Sequence, residues 1–242
     1  MLGDVKVDEE NRSKRARMNS AHVWDLEYSK VKSIPSSHRI EASHALRKAT
    51  TTTNFLGSKA LDLGCGNGRN SIFLQKLGFN VDALDFSQVA LRLAAENIDT
   101  HGSPERANLV YHDLFDGIPY DNRRFDIVLD AYCTCHLIDS IEYSETLDEI
   151  NRVLAVGGVY VRIHLDSSDQ YYKERIHSRD EVSQISYNQE NNTYKRHFSV
   201  GELAAQFDSR LWSSESLQVS FDDFVGGEKY QRSVSVVVST KL

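Results

Sequence analysis

ALDLGCGNGRN, residues 60–70, is the stretch on which the fold turns. A short apolar run, KALDL at 59–63, leads into Gly64-Cys65-Gly66-Asn67-Gly68. A helical pattern, NSIFLQKL at 70–77, follows at once and stops at Gly78. Strand, glycine-rich turn and helix in one frame form the opening unit of an α/β sheet. Glycines at alternate positions let the backbone turn tightly and approach a ligand closely, because no Cβ stands in the way. The helix N-terminus behind them offers unpaired N–H groups and a positive dipole end, which suits a carboxylate. Alone, such a turn is a weak sign of nucleotide binding; its surroundings decide what it means.

Outward from this turn the chain alternates. NVDAL at 80–84 reads as a second strand, and QVALRLAAENI at 88–98 as a helix rich in good formers. NLVYH at 108–112 and FDIVLD at 125–130 read as the third and fourth strands. SETLDEINRVL at 144–154 reads as an amphipathic helix closed by Gly157-Gly158, and VYVRIHL at 159–165 as the fifth strand. This spacing predicts right-handed crossovers and a mainly parallel sheet with helices on both faces. Two later runs, 217–224 and 233–239, joined through Gly226-Gly227, read as a terminal hairpin with one strand antiparallel to the rest.

Three segments stand outside the alternation. Residues 1–20, of mixed charge, read as a disordered leader, and 21–242 as one domain. Residues 21–50 carry Trp24, Tyr28, Val31 and Ile34 at loosely helical spacing, interrupted at Pro35, with Ser36 and Ser37 placed to cap the helix that follows. Residues 166–198 are polar, dotted with tyrosine and without sustained period, and read as a long lid-like excursion.

Two acids fall where strands end. Asp85 stands 23 positions beyond Asp62, after the second strand, and Asp113 follows the third, with Leu114 next to it. Ligands of open α/β sheets bind at the carboxyl ends of strands. A carboxylate at Asp85 can accept from two neighbouring ribose hydroxyls, and one at Asp113 from an adenine amino group. The competing use of an acid in such a place is to cap a helix.

The loop Asp62-Leu63-Gly64-Cys65-Gly66-Asn67-Gly68 resembles the first motif of class I methyltransferases that use S-adenosylmethionine. A dinucleotide dehydrogenase would instead want G-x-G-x-x-G, and Arg69 fills the place of its third glycine. The run 64–87 is especially similar to the tellurite-resistance and thiopurine methyltransferases, and NRVLAVGG at 151–158 resembles the helix-turn before the fifth strand of that superfamily. The resemblance implies a Rossmann-like α/β fold with a seven-stranded sheet, and a small-molecule acceptor methylated on N, O or S. It also implies roles. Gly64, Cys65 and Gly66 would contact the methionine portion of the cofactor, and Asp62 its ammonium. Asp85 would take the ribose, Phe86 and Ser87 would border the adenine, and Asp113 with Leu114 would read it. Asp130 would lie under the sulfonium, and Tyr28, in a lid formed by residues 21–50, would close from above.

Methyl transfer asks mainly for in-line positioning, with a base only where the acceptor must lose a proton. His136, just beyond the fourth strand, and His164, near the end of the fifth, are the candidate groups to face an acceptor. Cys133-x-Cys135-His136 lacks the second ligand pair of a zinc site, so no metal is expected. The net charge of −7 opposes a general grip on nucleic acid, and the basic cluster at 12–17 together with the unassigned excursion at 166–198 argues for an RNA or protein acceptor. Three cysteines suit a reducing compartment, and no apolar run approaches a span of roughly 18 to 20 residues. A cytoplasmic enzyme is therefore expected, a non-catalytic cofactor-binding module being the rival from another class.

Overall fold

The computed structural model describes residues 21–31, 34, 37–175, 178–180, 184–188, 193–225 and 227–242. Five strands come first: β1 (Lys59–Leu63), β2 (Asn80–Asp85), β3 (Ala107–Tyr111), β4 (Phe125–Ala131) and β5 (Leu154–Leu165). Helix α1 (His44–Thr52) precedes β1, while α2 (Arg69–Lys76), α3 (Gln88–His101) and α4 (Ser140–Val153) lie between strands. Then come α5 (Gln170–Arg175), the short strands β6 (Ser178–Asp180), β7 (Ile185–Asn188) and β8 (Thr193–Arg196), helix α6 (Val200–Ala204), and the long strands β9 (Trp212–Val225) and β10 (Glu228–Lys241).

The main sheet has seven strands in the order β3-β2-β1-β4-β5-β10-β9. Its first five pair in parallel, and β10 runs antiparallel to both β5 and β9. The chain builds outward from β1 to β3, then returns to the far side of β1 with β4. That reversal opens a crevice at the carboxyl ends of β1 and β4, where open α/β sheets bind ligands. Alternate side chains feed two cores: Ile127 and Leu129 pack with Leu46, Leu74 and Val236 on one face, and Leu61, Leu63 and Val128 with Ile150 and Tyr160 on the other. Burial on both faces is why these strands read as continuous apolar runs.

Four details depart from the sequence reading. Gly157 and Gly158 lie inside β5, not at a helix end; α4 stops at Val153 and the strand begins at once, with a register shift between Phe125 and Ile127. Among the described residues Ser37 caps no α-helix: its hydroxyl donates to Glu27 Oε1 at 2.8 Å, and the next α-helix starts at His44. The hairpin strands are longer than the apolar runs, 14 residues each. The segment 166–198 is no structureless loop: α5 is followed by a three-stranded antiparallel sheet, β6-β7-β8. Its inward positions in β8 are Thr193 and Lys195, both buried. Alternation carried by polar side chains leaves no hydropathy signal. The leader at 1–20, Pro35 and Ser36 lie outside the described residues, among which no helix is long and apolar enough to cross a membrane.

Candidate active site

The turn after β1 is locked by its own backbone and by Asp85. Gly64 and Gly66 adopt φ of +60° and +58°, a region that L side chains avoid. A Cβ on Gly64 would stand 2.7 Å from Cys133 Sγ, and one on Gly66 only 2.3 Å from the Tyr28 hydroxyl. The turn is thus sandwiched between the segment after β4 and the N-terminal segment, with no room for side chains. Cys65 N–H donates to Leu84 O at 2.9 Å, tying the turn to β2.

Asp85 ends β2 and is nearly fully buried. Its carboxylate accepts from Gly66 N–H and Ser87 N–H, both at 2.8 Å, so it orders the turn and the start of α3 together. Burial raises its pKa to about 6 against the pull of these hydrogen bonds. Asp62 lies beneath the turn, accepts from Ser71 Oγ at 2.6 Å, and is pushed by burial up to about 7. These are buried carboxylates with no cation in salt-bridge contact among the described residues. Such acids are stabilised by a ligand that brings hydroxyl donors or positive charge.

Asp85 borders a cavity of about 130 Å³ lined also by Gly64, Phe86, Asp113, Leu114 and Tyr28. Asp113 caps the short turn after β3, accepting from Phe115 N–H at 3.1 Å, and still faces the cavity. A second, larger cavity of about 610 Å³ adjoins it, and Trp24, Tyr132 and His136 line both. Tyr132 sits at φ +65°, an uncommon conformation for a bulky residue. His136 Nδ1 donates to the Tyr194 carbonyl at 2.9 Å, and its ring meets Trp24 edge-on at 5.2 Å. Burial, helped by the charge of Lys195, drives its pKa down to about 3. The imidazole is therefore neutral at pH 7, with its proton on Nδ1 and a lone pair on Nε2.

Residues 60–158 match the family model described as a methyltransferase domain. The fold is that of the class I methyltransferases. Over 177 residues the chain is 25% identical to sarcosine/dimethylglycine N-methyltransferase of Aphanothece halophytica, a stretch covering 63% of this chain and 62% of that one. It is 34% identical over 108 residues to demethylmenaquinone methyltransferase of Staphylococcus aureus, covering 43% and 42%. The chain thus spans less than two thirds of the length of these curated relatives. A crystal structure of a SAM-dependent methyltransferase from Methanosarcina mazei superposes with a TM-score of 0.63 at 16% identity, over 84% of this chain and all but 1% of that one, a likeness of fold.

Within this methyltransferase fold, the expected site residues divide. Tyr28, Gly64, Asp85, Phe86, Asp113, Leu114 and His136 come together around the first cavity. Cys65, Gly66 and Asp62 support it from the turn and from below. Three more, like Cys65, Gly66 and Asp62, line neither cavity, and they do not support the turn after β1 either. Ser87 is fully buried as the cap of α3, accepting from Ala90 N–H at 3.1 Å and donating to Asp25 at 2.6 Å. Asp130 is fully buried: it accepts from Cys133 N–H and Thr134 N–H, both at 3.0 Å, from Tyr160 hydroxyl at 3.0 Å, and from the Thr134 hydroxyl. His164, also fully buried, closes this cluster with Nε2 3.2 Å from Asp130. Burial opposes ionisation of Asp130, yet the hydrogen bond and attraction of His164 and the Thr134 bonds hold its pKa below the usual carboxylate range. Asp130 and His164 are thus internal posts that shape the turn carrying Tyr132 and His136. They lack the open face that contact with a sulfonium or an acceptor would need. Sequence reasoning missed Lys195 and Arg69 as cavity residues. Lys195 sits in a segment without hydropathy period, and Arg69 was visible only as a glycine that was not there.

Proposed function

We propose that this chain is an S-adenosylmethionine-dependent methyltransferase acting on N, O or S of a small molecule. The observation that carries the reading is Asp85: one buried carboxylate orders the glycine turn while bordering a cavity whose other walls suit a flat ring and its amino group. Asp85 would hold the ribose hydroxyls, Phe86, Asp113 and Leu114 the adenine, and the Gly64–Gly66 backbone with Asp62 the amino-acid end. When bound, the cofactor supplies an activated methyl group. Tyr28 covers the turn, and Trp24 and Tyr132 line the junction with the larger cavity. Neutral His136 presents Nε2 as a hydrogen-bond acceptor. So weakly basic a nitrogen orients an N–H or O–H of the acceptor and holds no proton at pH 7. The relatives named for sarcosine, dimethylglycine and demethylmenaquinone support a small acceptor. The likeness of residues 64–87 to the tellurite-resistance and thiopurine enzymes supports a soft or flat one.

The test is incubation with methyl-labelled cofactor and separate small-molecule, RNA and protein fractions of a cell extract. Label should enter the small-molecule fraction. Label in RNA or protein would refute the acceptor class, and failure of both the cofactor and its demethylated product to bind would refute the enzyme class.

A further inference from the structure

The larger cavity gathers basic side chains although the chain as a whole is acidic. The chain carries a net charge of −7. Yet this chamber is walled by Arg39, Arg47, Arg69, Lys195 and Arg232, of which Arg47 is exposed to solvent. Two of these are neutralised in place: Arg39 meets Asp223 at 2.6 Å, and Arg232 meets Asp169 at 2.9 Å and Asp223 at 3.5 Å. Asp222, also on the wall, is held by Lys229 at 2.7 Å, and Glu41 is exposed to solvent.

Arg69 and Lys195 are different. Among the described residues neither has a carboxylate within salt-bridge distance. Among the described residues the Arg69 guanidinium donates to the Glu41 backbone carbonyl, at 3.4 Å, and to no carboxylate. Lys195 is 94% shielded from solvent; its ammonium donates to the Tyr172 hydroxyl and lies 4.9 Å from that ring's centre. A buried ammonium without a counter-ion is costly, and a hydroxyl with a ring face offsets that cost only in part. Arg69 is also the first residue of α2, so its backbone follows directly on the glycine turn while its side chain faces the chamber.

From this geometry we infer that the chamber binds the acceptor by an anionic group, a carboxylate or phosphate held between Arg69 and Lys195. The nucleophilic atom then lies at the junction lined by Trp24, Tyr132 and His136. The inference rests on the methyl-transfer reading for the word acceptor; the anion site stands on the chamber alone. An anion there would supply the missing counter-charge, and the paired Arg39 and Arg232 would be spectators. The bridging ring of Tyr132, in its left-handed conformation, would flank the group between the two ends.

The test is calorimetric titration with benzoate, phenyl phosphate and the neutral benzamide, each with and without the demethylated cofactor S-adenosylhomocysteine. At least one acid should bind about tenfold or more tightly than benzamide. The carboxylate and phosphate arms identify the anionic group. Lys195→Gln and Arg69→Gln should each weaken the acid about tenfold, and Lys195→Arg should retain it. Equal binding of acid and amide, or no binding of either acid, would overturn the inference, and that comparison needs only the unaltered chain. Acids that bind while S-adenosylhomocysteine does not would keep the anion site and remove the methyl-transfer reading. S-adenosylhomocysteine binding without any acid would do the reverse.

Discussion

At the residue scale, Asp85 does two jobs that pull against each other. Its hydrogen bonds to Gly66 and Ser87 build the site, and its burial makes the charge costly until a ligand arrives. Because its folded pKa of about 6 lies above the unfolded value, folding favours the protonated form. Stability from this group is full below about pH 4 and lost as pH rises through about 6. Asp85→Asn should therefore gain thermal stability relative to the unaltered chain between about pH 5 and pH 8, without ligand. The same change, or Asp85→Ala, should weaken S-adenosylhomocysteine binding tenfold or more, since charge-assisted bonds contribute roughly 1.5–3 kcal/mol each. A flat difference in melting temperature across that range, or unchanged affinity in calorimetry, would remove Asp85 from the role. His136 makes the second case. His136→Ala should lower kcat/KM for the acceptor about tenfold and change cofactor affinity by no more than about twofold. Normal turnover would make it a structural histidine that merely pins Tyr194.

At the element scale, the turn after β4 is held by a fully occupied Asp130. Removing that carboxylate orphans the Thr134 and Tyr160 hydroxyls, two N–H groups and His164 together. Asp130→Ala should cost about 3–5 kcal/mol in chemical denaturation, as expected for one half of a buried pair. A loss under about 1 kcal/mol, the range of a surface pair, would show the cluster to be dispensable. The β6-β7-β8 sheet is bound to this turn through His136 and Tyr194. Amide exchange across Thr193–Arg196 should therefore quicken in His136→Ala and slow when cofactor and acceptor are both bound, as a lid would behave. Uniform exchange in all three states would make the small sheet plain scaffold.

At the scale of the whole molecule, the crevice at the sheet's reversal is the natural place for a ligand that binds only the folded state. At about 100 times its Kd such a ligand adds about 2.7 kcal/mol, which corresponds to roughly 5–10 °C in Tm for a chain of this size. S-adenosylmethionine and its demethylated product should both give that shift, and nicotinamide dinucleotides none. What the sequence determined by itself was whatever local periodicity and backbone permission encode: the alternation of β1 to β5 with their helices, the terminal hairpin, and the glycine turn with Asp85 and Asp113 at strand ends. Those features repeat within a few residues and need no partner to be recognised. Only the tertiary structure decided what depends on distant neighbours. Asp130 and His164 stand at strand ends just as Asp85 does, and only the packing of Thr134 and Tyr160 around them closes them off. Ser87, a local cap through Ala90, is also engaged by Asp25, which folds onto it from 62 positions away. Lys195 became a wall of the chamber because polar side chains took the inner face of β8, a choice that hydropathy does not record.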